Sequence, residues 1–216
     1  MKKQVTRVIA VENLKKYIGV DLYDLATKHG ITVFKGTKIN KGWKGQVLEI
    51  LAGLEINSRK APNGLGFELK SVSFKSKDGD YAPKETMAIT MINPQELLRD
   101  SFYESHCWAK LKSLVFCAVA WKGTFAREAK LLEVTSLDFF EGRDIIEEIE
   151  KDYEFIREKL KTDGFEALTG KDGKWIQART KGTGHGSTTR AFYARTQLVA
   201  EIFNRSRNAS IKVETE

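Results

Sequence analysis

Glu68 and Lys70 stand two residues apart in the run Gly66-Phe67-Glu68-Leu69-Lys70. In a strand that spacing puts both side chains on one face and turns Phe67 and Leu69 toward the core. A carboxylate beside an ammonium on a strand, entered through a tight turn, suits Mg2+-assisted hydrolysis of a phosphodiester. The carboxylate holds the metal, and the lysine positions the attacking water and offsets the developing negative charge. Such a site needs a second carboxylate from the turn. Here Lys60-Ala61-Pro62-Asn63-Gly64 offers Asn63, which has the shape of Asp without its charge. That exchange removes about one unit of negative charge at a metal and predicts a substantial loss of metal affinity.

The elements that must position this pair are readable from hydrophobic periodicity. Val11–Tyr17 and Asp21–Lys28 read as short helices, and Gly42–Leu54 as a third whose apolar face contains Val47, Leu48, Ile50, Leu51 and Leu54. Glu49 sits among those apolar positions, where an acid is unusual without a partner. Leu65–Phe74 and Thr86–Ile92 read as an antiparallel pair, with a turn at Lys77–Asp80 in their connection. Ser113–Trp121 is a nearly continuous apolar run, as in a buried central strand, and Lys130–Thr135 reads as another strand. Arg143–Leu168 reads as a long amphipathic helix, Lys174–Arg179 as a strand, 180–189 as a Gly-rich loop, and Ala191–Asn204 as the last helix, with a polar tail beyond Arg205. The sum is an α/β (α+β) fold, a mixed sheet flanked by helices, with no Pro-rich linker to divide it.

Composition agrees with one globular unit of 216 residues, 41% apolar and 30% charged, large enough to bury a core. No run is long and apolar enough to span a bilayer and no N-terminal apolar leader is visible, so a cytoplasmic location is expected. Cys107 and Cys117 form no disulfide framework and have no zinc-ligand spacing; they read as free thiols. The net charge is +7. It is unevenly spread: 138–154 is acidic, whereas 171–195 carries Lys171, Lys174, Arg179, Lys181, Arg190 and Arg195 against Asp172 alone. One basic face and one acidic face suit a polyanionic partner. Arg179 and Lys181 can reach guanine edges or phosphates from a backbone that glycines allow close to a surface. The glycines at 182, 184 and 186 are no phosphate-binding loop, because the strand–helix context and the terminal Lys-Ser/Thr are missing; His185 among them reads as a loop residue.

Read together and in order, these segments resemble the MutH superfamily of PD-(D/E)xK nucleases. The similarity runs through Asn13 to Ala26, Lys41-Gly42-Trp43-Lys44-Gly45-Gln46-Val47-Leu48-Glu49, Gly66–Lys70, Ser105-His106 with Lys110-Leu111-Lys112, Arg179-Thr180-Lys181-Gly182, and Arg190-Ala191-Phe192-Tyr193. The resemblance implies a restriction-endonuclease-like fold, with two lobes around a DNA-binding cleft. It also implies a single domain over 1–216: a helical N-terminal region (1–56), a catalytic core (57–140), a helix and recognition region (141–205) and the tail (206–216). It implies a catalytic set of Glu49, Asn63, Glu68, Lys70 and Lys110. Mg2+ would be held by Glu49, Asn63, Glu68 and the backbone carbonyl of Leu69. Contacts to double-stranded DNA would come from Lys44, Arg179, Thr180, Lys181, Gly182, Arg190 and Tyr193.

The activity so implied is cleavage at a short recognition site by a type II restriction enzyme, as a monomer or as a homodimer pairing on a palindrome. A mismatch-repair nicking endonuclease and a non-cleaving DNA-binding domain are the alternatives. Asn63 departs from the family's Asp, and ungapped alignment to MutH itself places Ala61 there. Three accounts stand open: an Asp→Asn exchange that traps uncleaved DNA, a naturally inactive DNA-binding member, or a working site in which Glu49 compensates.

Overall fold

The computed structural model describes residues 5–56, 62, 64–77, 80–123, 128–143, 145–182 and 188–214; the side chains of Lys77 and of 208–214 lie outside that description. The N-terminal third is three helices, α1 (Arg7–Lys15), α2 (Leu22–Lys28) and α3 (Trp43–Ala52), with a small hairpin, β1 (Phe34–Lys35) and β2 (Lys38–Ile39), before α3. The side chain of Thr6 caps α1 and that of Asp21 caps α2, which is why α1 starts four residues before the apolar pattern suggested. α3 stops at Gly53, whose φ of 84° closes the last turn in the left-handed region.

The central sheet has the order β4-β3-β6-β7, with β3 (Glu68–Lys77), β4 (Asp80–Pro83), β6 (Ser113–Ala120) and β7 (Leu131–Asp138). β3 runs parallel to β6, and β6 antiparallel to β7. The expected pairing of Leu65–Phe74 with Thr86–Ile92 is not what forms. The strand returning to β3 is β4, and it ends at Pro83, which has no N–H to extend a ladder. The next strand, β5 (Met87–Met91), joins a second sheet of order β5-β9-β8 with β8 (Ile176–Thr180) and β9 (Arg190–Ala194). β9 replaces the beginning of the expected last helix. That helix, α7, spans Thr196–Glu214 and takes in much of the segment read as a tail.

Two short helices, α4 (Pro94–Arg99) and α5 (His106–Leu111), lead from β5 to β6, and the long helix α6 (Ile145–Asp163) leads from β7 to β8. The apolar run on β6 is buried on both faces. Leu114, Phe116 and Ala118 enter one core with β5, α6, β9 and α7, while Val115, Cys117 and Val119 enter a second with α1, α2 and α3. β3 divides in the same way: Val72 and Phe74 face the first core, Phe67 and Leu69 the second. The mixed, helix-flanked architecture is therefore the one the periodicity indicated. Glu68 and Lys70 lie on the β3 face that looks toward the second sheet. Among the described residues no helix is long and apolar enough to cross a membrane.

Candidate active site

The turn into β3 is set by packing. The Gly64 amide donates to the Phe67 carbonyl at 3.0 Å, and a Cβ at Gly64 would lie 2.0 Å from the Phe67 ring, which is itself only 1% exposed. The ring thus anchors the residue before Glu68. Glu68 is 3% exposed, and its Oε1 accepts from two ammonium groups: Lys70 Nζ at 2.9 Å and Lys110 Nζ at 3.1 Å. Lys110 arrives on the last turn of α5, whose start is fixed by Ser105 accepting from the Trp108 amide. A cation there also suits the negative end of the helix dipole. The strand spacing and the α5 lysine, far apart in sequence, therefore meet on one carboxylate oxygen.

Lys70 has a further partner that sequence reading did not indicate. Its Nζ donates to the carbonyl of Ile89 at 3.2 Å. The β5–β9 ladder pairs Ala88 with Tyr193 and Thr90 with Phe192, so Ile89 is the extra residue of a β-bulge. Bulges re-aim backbone groups, and here the bulge ties the second sheet to β3. Nothing in residue type marks a backbone carbonyl for this role. Burial pulls the Lys70 pKa below its ordinary 10.5; Glu68 opposes that pull, and the charges of Lys110 and Lys181 reinforce it. Lys181 is lowered as well, by burial first and Lys110 second. Lys181 therefore sits within electrostatic reach of Lys70 and Lys110.

The remaining expected site residues divide into three groups. Glu49 is half-buried on α3, whose apolar face shares a core with Phe67 and Leu69 on either side of Glu68. The Leu69 side chain is buried there, so only its backbone can serve a metal. Asn63 lies outside the described residues, as does 183–187 with His185. Arg179 and Thr180 are exposed on β8. The Arg179 guanidinium lies 4.8 Å over the Tyr193 ring and donates to Thr86 Oγ at 3.4 Å. Lys181 closes the β8–β9 hairpin, its amide donating to the Thr189 carbonyl, and Gly182 follows at φ 135°.

The other two expected DNA contacts, Arg190 and Lys44, have the following surroundings. Arg190 is 5% exposed, and its guanidinium donates to the carbonyls of Leu168, Thr188 and Glu166 and to the Glu166 carboxylate. It braces the chain between α6 and β9 instead of projecting outward. Lys44 is not beside Glu68: it bonds Ser73 Oγ, at 2.9 Å, beside a separate cleft. The two thiols are buried and free, and burial raises both pKa values, that of Cys117 to about 12, so neither is poised as a nucleophile.

Among the described residues no group of three His, Cys, Asp or Glu side chains gathers as a metal site. Glu68, the Leu69 carbonyl and Glu49, the ligands that the resemblance implies, would offer oxygen donors of the hard kind that Mg2+ accepts. The set is short of charge, and Glu68 already answers two ammonium groups.

An acid-x-lysine strand in a mixed sheet, with a second lysine brought in from the helix ahead of the next parallel strand, is the arrangement that the resemblance to the PD-(D/E)xK nucleases implied. Comparison with known proteins agrees. The family described as DNA mismatch repair enzyme MutH matches residues 53–140, the stretch that carries Glu68, Lys70 and Lys110. DNA mismatch repair protein MutH of Shewanella sp. (strain W3-18-1) is 25% identical over 222 residues, covering 92% of this chain and 98% of that protein. The protein of the same name from Shewanella baltica (strain OS155 / ATCC BAA-1091) is 25% identical, covering 93% of this chain and 99% of its own length. These matches support placing the chain with the MutH-like superfamily of PD-(D/E)xK endonucleases.

Proposed function

We propose that this protein is a Mg2+-dependent DNA endonuclease that cuts at a short recognition sequence as a type II restriction enzyme. The observation that carries the reading is the buried Glu68 carboxylate held between Lys70 and Lys110 at 2.9 and 3.1 Å. In this reading Glu68, Glu49, the Leu69 carbonyl and residue 63 hold the metal, which supplies charge stabilisation for phosphodiester hydrolysis. Lys70, anchored by Glu68 and the Ile89 carbonyl, orients the attacking water and offsets charge on the phosphoryl oxygens. Lys110 holds a phosphate oxygen. Arg179, Thr180, Lys181, Gly182 and Tyr193, on or beside the β8–β9 hairpin, read base edges from the second sheet. The enzyme acts as a monomer or as a homodimer on a palindromic site.

The names of the relatives favour a second reading, a nicking endonuclease of mismatch repair. Unmethylated supercoiled plasmid incubated with Mg2+ separates the two. Linear product supports restriction, and open circles alone support nicking. Asn63→Asp should raise either activity by orders of magnitude, because it restores a charged ligand. If neither form cuts, the endonuclease reading fails and a DNA-binding role takes its place.

A further inference from the structure

The chain enters β5 in the grip of two side chains expected to meet DNA. Arg179 donates to Thr86 Oγ at 3.4 Å, one residue before β5 begins, and its guanidinium lies 4.8 Å over the Tyr193 ring. Tyr193 in turn faces Ala88 across the β5–β9 ladder. Thr86 and Ala88 stand on either side of Met87, so the Arg179–Tyr193 pair holds the start of the strand at two points. Ile89 comes next. It is the bulged residue, and its carbonyl takes the Lys70 ammonium at 3.2 Å. From Thr86 to Ile89 is about 10 Å of extended chain, at about 3.3 Å per residue. The expected recognition residues and the Lys70 ammonium therefore act on one short segment from its two ends.

Both ends of that connection can respond. β5 stands at the edge of its sheet, in the order β5-β9-β8, so β9 is its one strand neighbour there. A bulge leaves its extra residue out of the ladder. The Ile89 carbonyl is thereby released to a side chain of the other sheet, and its direction follows the strand that carries it. Lys70 depends on that carbonyl for its aim. An ammonium has three donors. Glu68 Oε1 takes one of them and is shared with Lys110, and an ammonium held at a single oxygen can swing about it. The Ile89 oxygen adds a second fixed point. Two fixed donors set where the third one points.

We infer that the segment Thr86–Ile89 makes cutting depend on recognition. A base pair seated against Arg179 and Tyr193 fixes the start of β5, the Ile89 carbonyl then fixes Lys70, and the third donor is aimed at the attacking water. Thr86 and Ile89 are positioning residues, and neither touches the reacting atoms. The inference deepens the endonuclease reading and rests on it. Its consequence is that a wrong base pair slows the chemical step itself, beyond any loss of affinity.

The test uses the full chain in a form that cuts, wild type or Asn63→Asp, under single-turnover conditions with saturating enzyme. The substrates are a duplex carrying the sequence found at the ends of cut plasmid and a second duplex changed at one base pair. Thr86→Val keeps the shape and removes the hydroxyl. It should cut the first duplex about tenfold more slowly, with affinity within about threefold, because a small displacement of a reacting group is expensive in rate. The rate ratio between the two duplexes should shrink. Thr86→Ser keeps a hydroxyl and should recover both the rate and the ratio. Replacing Thr90 by its α-hydroxy acid turns the 89–90 amide into an ester, which weakens the Ile89 carbonyl as an acceptor and alters no side chain. Rate and ratio should fall as in Thr86→Val, whereas the same exchange at Met91 should leave them unchanged. If the Thr90 ester does not fold, the Val and Ser variants of Thr86 carry the test. Rate ratios equal to the parent's in Thr86→Val and in the Thr90 ester overturn the inference, as does an equal loss from the Met91 ester. Weaker binding with unchanged rates at saturation overturns it too, since Thr86 would then only hold Arg179 for binding. A protein that cuts in neither form overturns the endonuclease reading and this inference together.

Discussion

Lys70 and Lys44 are both drawn out of solvent against the same strand, and they are answered differently. Lys70 meets a carboxylate and a carbonyl, the Glu68 Oε1 and the Ile89 oxygen. Lys44 meets a serine hydroxyl. Burial lowers both pKa values, but a neighbouring carboxylate bonded directly to the ammonium opposes the effect only at Lys70. A buried charge is tolerated when its donors are filled by acceptors of opposite charge. On the proposed function Lys70 is held for use inside a preorganised site, whereas Lys44 stands in the lining of a cleft. Arg190 gives the limiting case: four bonds to three carbonyls and a carboxylate leave it a structural brace.

The largest effect should come from breaking the Lys70 side of this comparison. Starting from a cutting form, Lys70→Met or Glu68→Gln should lower single-turnover cleavage by about a thousandfold or more, with DNA affinity within about tenfold, because these groups act mainly in the transition state. Retained cutting would make the pair an ordinary strand salt bridge. The pH profile sharpens the point. Lys70 works as an ammonium, and burial lowers its pKa, so cleavage should fall as pH rises through a value below the ordinary 10.5. In Lys70→Arg, which stays charged, residual activity should lack that alkaline limb.

Arg190 should show the opposite division. Arg190→Met removes the donor to the buried Leu168 carbonyl and to the carbonyls of Thr188 and Glu166. Leaving a buried acceptor without its donor costs about 1–3 kcal/mol. Denaturant unfolding should register that loss, while the salt slope of DNA binding stays unchanged once the variant is folded. A slope shallower by about 0.9 would return Arg190 to the set of phosphate contacts.

These contrasts also explain what was legible in the sequence. The two-residue spacing of Glu68 and Lys70 gave their shared face, because strand periodicity is local. The apolar run at 113–120 gave a strand covered on both sides for the same reason. Lys110 entered through a likeness of segments, and its meeting with Glu68 depends on where α5 docks. Arg190 looked like one more basic residue near a glycine-rich loop. Its burial comes from β9 lying between β5 and β8, a pairing that no local pattern specifies. The Ile89 carbonyl depends on a bulge, and the cleft on three separate segments converging on the open edge of β3. Lys44 itself was picked out for DNA, but its separation from Glu68 was not visible, because α3 packs on the β3 face that Phe67 and Leu69 occupy.

The smallest effect expected concerns stability, and it separates a cation kept for a ligand from one kept for the fold. A lysine whose pKa is lower in the folded protein than in the unfolded chain destabilises the fold wherever it is charged in both states. That penalty is full below the folded pKa, shrinks as pH rises through it, and vanishes above the unfolded value near 10.5. Lys44→Met keeps the stem and removes the charge, so without DNA it should unfold at a slightly higher temperature than wild type at neutral pH, by about 2 °C. The gap should close as pH approaches 10.5. The same variant should gain less thermal stability from added DNA than wild type does, since a ligand stabilises in proportion to its affinity for the folded state. A Lys44→Met protein less stable than wild type at neutral pH would mean that the bond to Ser73 holds α3 to β3. Lys44 would then join Arg190 as a structural cation, and the contrast with Lys70 would dissolve.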